Sequence, residues 1–320
     1  MCLENVDFVL AVGSVDGVCT SAAVLRNATP KVDIDFCQAF TVDKVDPLTW
    51  GNRRNVLFVD LAVNNRDKAM TADFLRRIKA ANHVIVGVLD EHNAEDWRKS
   101  FTAAELSFDE LSIKPVSQDN VEIKSSGALL LSILGDKADK QTRELCEAAD
   151  AGDRMDFSTH FGSIVNQAVK SCIANDSRRM YLAKHFAQNY DSDQTIINWI
   201  AEYETILITH KDIVKVMKNF GDRIARISVV GRIVDMTTLM KTIYNLGYDV
   251  VLIDGEMFSK EAGKKIRQVS FGCRPELKLD AVATIKAAGV ECSGFAAKAN
   301  VEPKDEYAAL AAIRSALRFV

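Results

Sequence analysis

The chain has 320 residues, about twice the roughly 150 residues of a typical domain, so we expect two domains. Its content of 48% hydrophobic and 26% charged residues is that of a globular protein and excludes a disordered or low-complexity chain. The 40 basic residues oppose 44 acidic ones, for a formal net charge of -4. This balance argues against a strongly basic protein that binds duplex DNA mainly through its charge.

The cysteines and the N-terminus indicate a compartment. The 7 cysteines include no CxxC pair and no close cluster, so neither a zinc ribbon nor a disulfide framework is indicated. The first residues lack the basic start and apolar run of a signal peptide, and no apolar stretch approaches the ~20 residues of a membrane span. We therefore expect a cytoplasmic protein that does not associate with membranes.

Short apolar runs at residues 8–12, 56–59 and 84–89 predict parallel strands that are covered on both faces. Residues 68–81, between the last two runs, have apolar side chains at helical spacing. This strand–helix–strand order is typical of an open α/β sheet. Helices are expected to follow at 126–134, 142–149 and 161–188, the last with a break near Asp176.

Apolar residues from Ile196 to Phe220 step by threes and fours, which predicts one long helix with a single buried stripe that stops at Gly221. Strands at 227–230, 248–253 and 266–271, with helices at 237–246, 281–288 and from Asp305, predict a second, smaller α/β domain. The predicted organisation is a parallel-sheet domain over 1–194, a connector helix over 195–221 and a C-terminal α/β domain over 222–320.

Acidic residues follow each of the three N-terminal strands, at Asp16, at Asp60 and at Asp90 with Glu91. Because the carboxyl ends of parallel strands share one edge of the sheet, we expect these acids to converge. Carboxylates that meet repel one another, and protonation or a divalent cation relieves the repulsion. The alternative is that each aspartate caps the helix after its strand. The residues alone leave both interpretations open.

Only one of the 5 histidines, His92, lies in this acidic set, where a general acid or a phosphate contact would be placed. His210 falls on the buried stripe of the long helix and is expected to be a packed core residue. The sequence contains no glycine-rich nucleotide loop, no GxSxG elbow and no HExxH pair, so the functions that depend on those motifs are not supported.

Three segments resemble the first three motifs of the DHH phosphoesterase superfamily, which includes RecJ-type exonucleases and oligoribonucleases (nanoRNases). They are Ser-Val-Asp16-Gly-Val, Phe-Val-Asp60-Leu-Ala-Val-Asn and Leu-Asp90-Glu91-His92-Asn. Residues 125–129 look like the small-residue helix start of the family. The helix that ends at Asp150 resembles the one that carries the fourth-motif aspartate, with Asp153 as the alternative registration.

The resemblance continues into the DHH-associated C-terminal domain, which grips substrate phosphates in the family. Residues 269–274 look like its serine-and-arginine strand motif, and residues 290–297 lie where a glycine-rich run with a histidine is expected. The resemblance thus implies phosphate contacts from Ser270, Arg274 and Ser293. Glu291 departs from the pattern and adds a negative charge that opposes an anionic substrate.

The first and third motifs depart from the family pattern. The family's first motif supplies a histidine and two aspartates, and the corresponding positions here are Val12, Ser14 and Asp16. In the third motif Glu91 replaces the metal-binding histidine, whereas His92 keeps the position expected to contact substrate. The resemblance implies an oxygen-only site for one Mn²⁺ or Mg²⁺ ion, or for none. Its expected ligands are Asp16, Asp60, Glu91 and Asp150, and the candidate catalytic residues are His92 and Asp90.

Two functions are compatible with these departures. A catalytically silent homologue would bind nucleic acid, a nucleotide or a protein partner, as a DHH relative does in the eukaryotic replicative helicase assembly. The alternative is an active metal-dependent phosphodiesterase or exonuclease that acts on short oligonucleotides or nucleotides with a single remaining ion. Two further alternatives stay open: a cation-free salt-bridge network with Arg154 or Arg53 as counter-charge, and an unrelated α/β fold.

Overall fold

The computed structural model describes residues 3–28, 31–64, 67–116, 123–154, 159–172, 175–189, 191–259, 264–295 and 297–318. The chain divides into two compact units, residues 1–203 and 204–320. The boundary falls inside a long helix, at the place where the sequence predicts a connector.

A four-stranded parallel sheet forms the centre of the first unit, in the order β2-β1-β3-β4. Its strands are β1 (Phe8–Val12), β2 (Asp33–Cys37), β3 (Asn55–Val59) and β4 (Val84–Leu89). The three predicted strands are confirmed. The sequence analysis missed β2, which lies at the edge of the sheet and mixes charged with apolar residues.

Helices cover both faces of this sheet, which confirms the predicted α/β class. The helices are α1 (Val15–Asn27), α2 (Lys68–Ala80), α3 (Ala94–Ala103), α4 (Ser126–Leu134), α5 (Lys140–Arg154), α6 (His160–Ser171), α7 (Asp176–Phe186) and α8 (Gln194–Lys215). Alternate β1 side chains face opposite layers, as strand geometry requires. Val9 packs with α1 and α4 to α7, whereas Leu10 packs with α2 and α3.

A six-stranded mixed sheet forms the second unit, in the order β5-β6-β7-β8-β10-β9. Its elements are β5 (Lys218–Asn219), β6 (Ile224–Ser228), α9 (Met236–Asn245), β7 (Val250–Ser259), β8 (Lys264–Cys273), α10 (Ala281–Ala287), β9 (Ser293–Phe295), β10 (Lys298–Val301) and α11 (Glu306–Leu317). Strands β6 and β7 are parallel, and the other pairs are antiparallel. The prediction of a second α/β domain is confirmed.

Helix α8 ends at Lys215, so the prediction that it runs to Phe220 was wrong. The next residues form β5, which pairs with β6, and Gly221 turns the chain between them at a φ of +76°. Backbone pairing thus replaces the last helical turn. His210 is buried and accepts a hydrogen bond from the Asp235 amide at 3.1 Å, which confirms it as a core residue.

Within the described part of the chain, every helix is too short or too polar to cross a bilayer.

Candidate functional site at the carboxyl edge of the parallel sheet

The carboxyl edge of the parallel sheet gathers three side chains that could hold a cation. Asp60 follows β3, and Glu91 and His92 follow β4, the neighbouring strand. One ligand atom from each of the three lies within 4.8 Å of the others. The expected convergence of acids from adjacent strands is therefore seen in this group.

Asp60 is held in place by its backbone and by Ser14. Its φ is +56°, in the left-handed region, and its amide donates to the Leu89 carbonyl at 2.8 Å. The Ser14 hydroxyl donates to the Asp60 carboxylate at Oδ2 and also accepts the Gly17 amide at 2.8 Å, as the N-cap of α1. A Cβ at Gly17 would overlap the Val12 carbonyl oxygen. This tight turn brings the Ser14 hydroxyl into hydrogen-bonding contact with Asp60, the central aspartate of the site.

Asp16 is fully buried and is bonded to the N-terminus of α4. Its Oδ2 accepts the Ser126 amide at 2.7 Å, and its Oδ1 accepts the Gly127 amide at 3.1 Å and the Thr20 hydroxyl at 2.7 Å. Burial and the charge of Glu91 raise the pKa of Asp16 to about 7, although these three hydrogen bonds act to lower it.

The capping alternative for Asp16 therefore applies to an unexpected helix. Ser14 caps α1, the helix that follows the strand, whereas Asp16 accepts the first two amides of α4, 110 residues later, whose N-cap is Ser125. A carboxylate at a helix N-terminus is stabilised by the free amides and by the helix dipole. The role of Asp16 as a metal ligand stays a prediction, and both of its oxygens already accept hydrogen bonds from the protein.

Asp90 is buried and positions His92. Its Oδ1 bonds His92 Nδ1 at 2.7 Å, and its Oδ2 accepts Trp97 Nε1 at 2.7 Å. The hydrogen bond that His92 donates to Asp90 is the main cause that raises the pKa of His92 to about 9, and the charges of Glu91 and Asp60 add to it. The Asp90 carboxylate therefore orients the His92 ring and favours its protonated form.

Glu91 and Asp150 both contact the serines at the start of α4. Glu91 Oε2 accepts the Ser126 hydroxyl at 3.0 Å, and its Oε1 lies 3.1 Å from His92 Nδ1. Asp150, on α5, accepts the Ser125 hydroxyl at 3.3 Å. Asp150 is not in the three-residue group that the structure brings together, and its role as a ligand stays a prediction.

Three candidates from the sequence lie outside this arrangement or outside the described side chains. The side chains of Asp153, the alternative fourth-motif acid, and of Arg154 are not among those described. Arg53 precedes β3 and therefore lies at the amino edge of the sheet, opposite the acids. The prediction that Arg53 supplies their counter-charge was wrong.

Sequence reasoning missed three side chains that hold the acids. Thr20 stands four residues after Asp16 on α1, and this helical spacing could have identified it. Ser14 stands three residues before Gly17, as an N-cap does, but nothing in that spacing indicates its bond to Asp60. Trp97 carries no local signal at all, because its contact with Asp90 depends on how α3 packs.

Two of the three predicted phosphate contacts, Ser270 and Ser293, lie at the same register position on β8 and β9, on either side of β10. The buried Ser270 on β8 donates to the Asn300 side chain at 2.6 Å, and Asn300 pairs in register with Ser293 on β9. Arg274 follows the end of β8, about 13 Å along the strand from Ser270. There it donates to the Tyr244 carbonyl oxygen and lies 3.9 Å from Asp249.

A cleft of about 540 Å³ adjoins this strand pair in the second unit. Its lining includes the two serine-motif partners Ser293 and Asn300, one lysine, Lys286, and two carboxylates, Glu291 and Glu302. Among the described residues of this lining, the two carboxylates outnumber the one lysine. This charge is unfavourable for a phosphate group, as the position of Glu291 in the sequence predicts.

Comparison with known proteins relates this fold to phosphodiesterases. Family models and curated proteins gave no match to the sequence. The pGpG-specific phosphodiesterase PggH from Vibrio cholerae aligns over 97% of this chain and 98% of its own, with a TM-score of 0.64 and 11% identity. RecJ from Thermus thermophilus, in complex with Mn²⁺, aligns over 98% of this chain with a TM-score of 0.60 and 11% identity. This chain spans about half of that RecJ, 52%.

CDC45 from Entamoeba histolytica is a third structural neighbour, with a TM-score of 0.50, 8% identity and coverage of 98% of this chain and 95% of its own. At these identities the likeness concerns the fold. The chain shares the fold of PggH, RecJ and CDC45, and the fold that the motif resemblance implied is confirmed.

Proposed function

We propose that this chain is a catalytically silent protein with a DHH-type fold, which binds a protein partner and holds at most one divalent cation. The observation that carries the proposal is the hydrogen bond from Ser14 to Asp60. The sequence resemblance expects a second carboxylate at position 14. A neutral hydroxyl stands there instead, and it is already bonded to the central aspartate.

Phosphodiester hydrolysis by two metal ions depends on ligands that this chain lacks. Two ions a few ångströms apart hold the attacking water and the leaving oxygen and make hydroxide available near neutral pH. Val12 offers no ligand atom, and Asp16 already accepts three hydrogen bonds through its two oxygens. The residues present fit one ion between Asp60 and Glu91, whose oxygens suit Mg²⁺ or Mn²⁺.

The second unit supports binding of a protein in preference to nucleic acid. Its cleft carries Glu291 and Glu302 against Lys286. Arg274 is engaged with the Tyr244 carbonyl and faces Asp249. The two glutamates of the cleft disfavour a phosphate backbone and are compatible with a protein surface that presents basic side chains, and Arg274 does not line the cleft.

A hydrolysis assay tests the silent function. The full chain and its Asp60→Asn variant are incubated with Mn²⁺ or Mg²⁺ and three substrates: pGpG, a labelled oligonucleotide and a chromogenic phosphodiester. We expect the same background rate for both proteins on every substrate. Turnover by the unmodified chain that disappears in Asp60→Asn would refute the proposal. Retention of the oligonucleotide on the protein without cleavage would contradict the protein-partner part alone.

A single-ion phosphodiesterase is the second candidate, and one observation favours it. His92 is 53% exposed, lies beside Asp60 and Glu91, and is held by the buried Asp90. In this alternative one ion between the two acids would polarise a phosphoryl oxygen, and His92 would donate a proton to the leaving oxygen. The same assay distinguishes the two functions, because here activity depends on both Asp60 and His92.

A further inference from the structure

A broad cleft of about 1170 Å³ lies in the first unit at the amino edge of the parallel sheet. Its walls include Asp33, where β2 begins, and Arg54, which directly precedes β3. Asp60 and Glu91 follow their strands and therefore lie at the opposite, carboxyl edge. The cleft is thus separate from the candidate site, and binding of a ligand in it does not depend on the proposed function.

Basic side chains outnumber acidic ones in this cleft. Among the residues that the structure describes, the lining contains five basic and two acidic ones: Arg26, Lys31, Arg54, Lys137 and Lys184 against Asp33 and Asp139. These side chains give the cleft a formal charge of +3. The whole chain has a net charge of -4, so the charge of the cleft is opposite in sign to that of the protein.

The two acids of the cleft are already neutralised by the two arginines. Arg26 Nε donates to Asp139 Oδ2 at 2.8 Å, and this arginine holds the pKa of Asp139 well below its usual range. Arg54 Nη2 donates to Asp33 Oδ2 at 2.6 Å. The excess positive charge of the cleft therefore belongs to its lysines.

The three lysines of the cleft are exposed, and among the described residues none of them forms a salt bridge. Lys137 does help to lower the pKa of Glu4, which is outside the lining. Lysine ammonium groups on flexible stems bind phosphate oxygens as point charges. Three of them around one cleft favour a ligand with several negative charges close together.

The remaining lining limits the kind of anion. The described lining combines the charged side chains with the side-chain amide of Gln188, which can donate hydrogen bonds to phosphate oxygens. We propose that this cleft binds a small anion with several phosphate groups in a chain, through Lys31, Lys137 and Lys184.

Titration calorimetry with inorganic tripolyphosphate tests this assignment on the full chain, in EDTA so that no metal–phosphate complex takes part. The test variant replaces Lys31, Lys137 and Lys184 by alanine. At about fivefold per lysine, we expect the affinity to fall by about a hundredfold. The matched control replaces three exposed lysines elsewhere, Lys99, Lys211 and Lys215, and we expect it to bind as the unmodified chain does.

Further arms separate the sources of the phosphate chain and the two sites of the protein. A nucleoside triphosphate that binds as tightly as tripolyphosphate shows that the phosphates alone are recognised, and tighter binding identifies a nucleotide as the ligand. Asp60→Asn should bind tripolyphosphate normally, whatever the outcome of the hydrolysis assay. The proposal is overturned if the unmodified chain does not bind, if both triple variants lose affinity equally, or if an oligonucleotide without terminal phosphates binds as tightly.

Discussion

Replacing Asp16 by alanine should destabilise the first unit even when no metal ion is present. The substitution removes the acceptor for the Ser126 and Gly127 amides and for the Thr20 hydroxyl, all in a fully buried place. Each buried donor left without a partner costs about 1–3 kcal/mol, whereas Ser125 still caps α4. Burial of the Asp16 charge and its repulsion by Glu91 both destabilise the folded protein, as the raised pKa of Asp16 shows. Removal of Asp16 ends both effects and so offsets part of this loss in stability. The net loss is about 2–4 kcal/mol.

Thermal and urea unfolding of the full chain in EDTA measure this loss, which corresponds to about 5–15 °C for a unit of this size. Asp16→Asn keeps one acceptor oxygen and should fall between the alanine variant and the unmodified chain. Asp60→Asn is the matched control, because asparagine tolerates the left-handed backbone and still accepts from Ser14, so its loss should stay below about 1 kcal/mol. If Asp16 served only as a metal ligand, its removal in EDTA would relieve repulsion between carboxylates. An unchanged or higher melting temperature for Asp16→Ala would therefore refute the reasoning.

Three other perturbations have defined outcomes. Gly17→Ala should cost about 3 kcal/mol in urea unfolding, because its Cβ would overlap the Val12 carbonyl, and unaltered stability would show that the turn relaxes freely. Ser14→Asp keeps an N-cap but adds a carboxylate beside the cluster, so calorimetry should show Mn²⁺ binding about tenfold tighter, and equal affinity would count against the proposed site. Arg267 lowers the pKa of the buried Asp254, so the stability from that pair is present above about pH 4 and is lost as the pH falls. Asp254→Asn should therefore show a shallower loss of stability than the unmodified chain between about pH 5 and pH 3, and parallel curves would contradict this.

Strands and helices that are buried along their length could be predicted, because burial leaves a hydrophobic pattern in the sequence. Strand β1 and helix α4 have the predicted bounds, because a strand covered on both faces is continuously apolar and because Ser125 marks the N-cap of α4. Edge strand β2 could not be found this way, since only part of it is buried. The end of α8 was placed too late because residues 218–219 pair with β6, and such pairing is not encoded in helical spacing.

The candidate site was predictable in its location but not in its bonding. The order of parallel strands is enough to bring Asp60 and Glu91 to one edge of the sheet. The partners of Asp16 lie 110 and 111 residues away, on a helix whose approach depends on the packing of the whole layer. The same holds for the bond between Ser14 and Asp60, which joins positions 46 residues apart. Local spacing carries no record of such contacts.

The most direct test is a crystal of the full chain soaked in Mn²⁺, with the ions located by their anomalous scattering. It shows whether the acids at the sheet edge bind metal ions or keep their hydrogen bonds within the protein. We predict at most one ion, between Asp60 and Glu91, with Ser14 still bonded to Asp60 and Asp16 still bonded to the start of α4. Two ions a few ångströms apart, with Asp16 released from α4 to bind one of them, would contradict it.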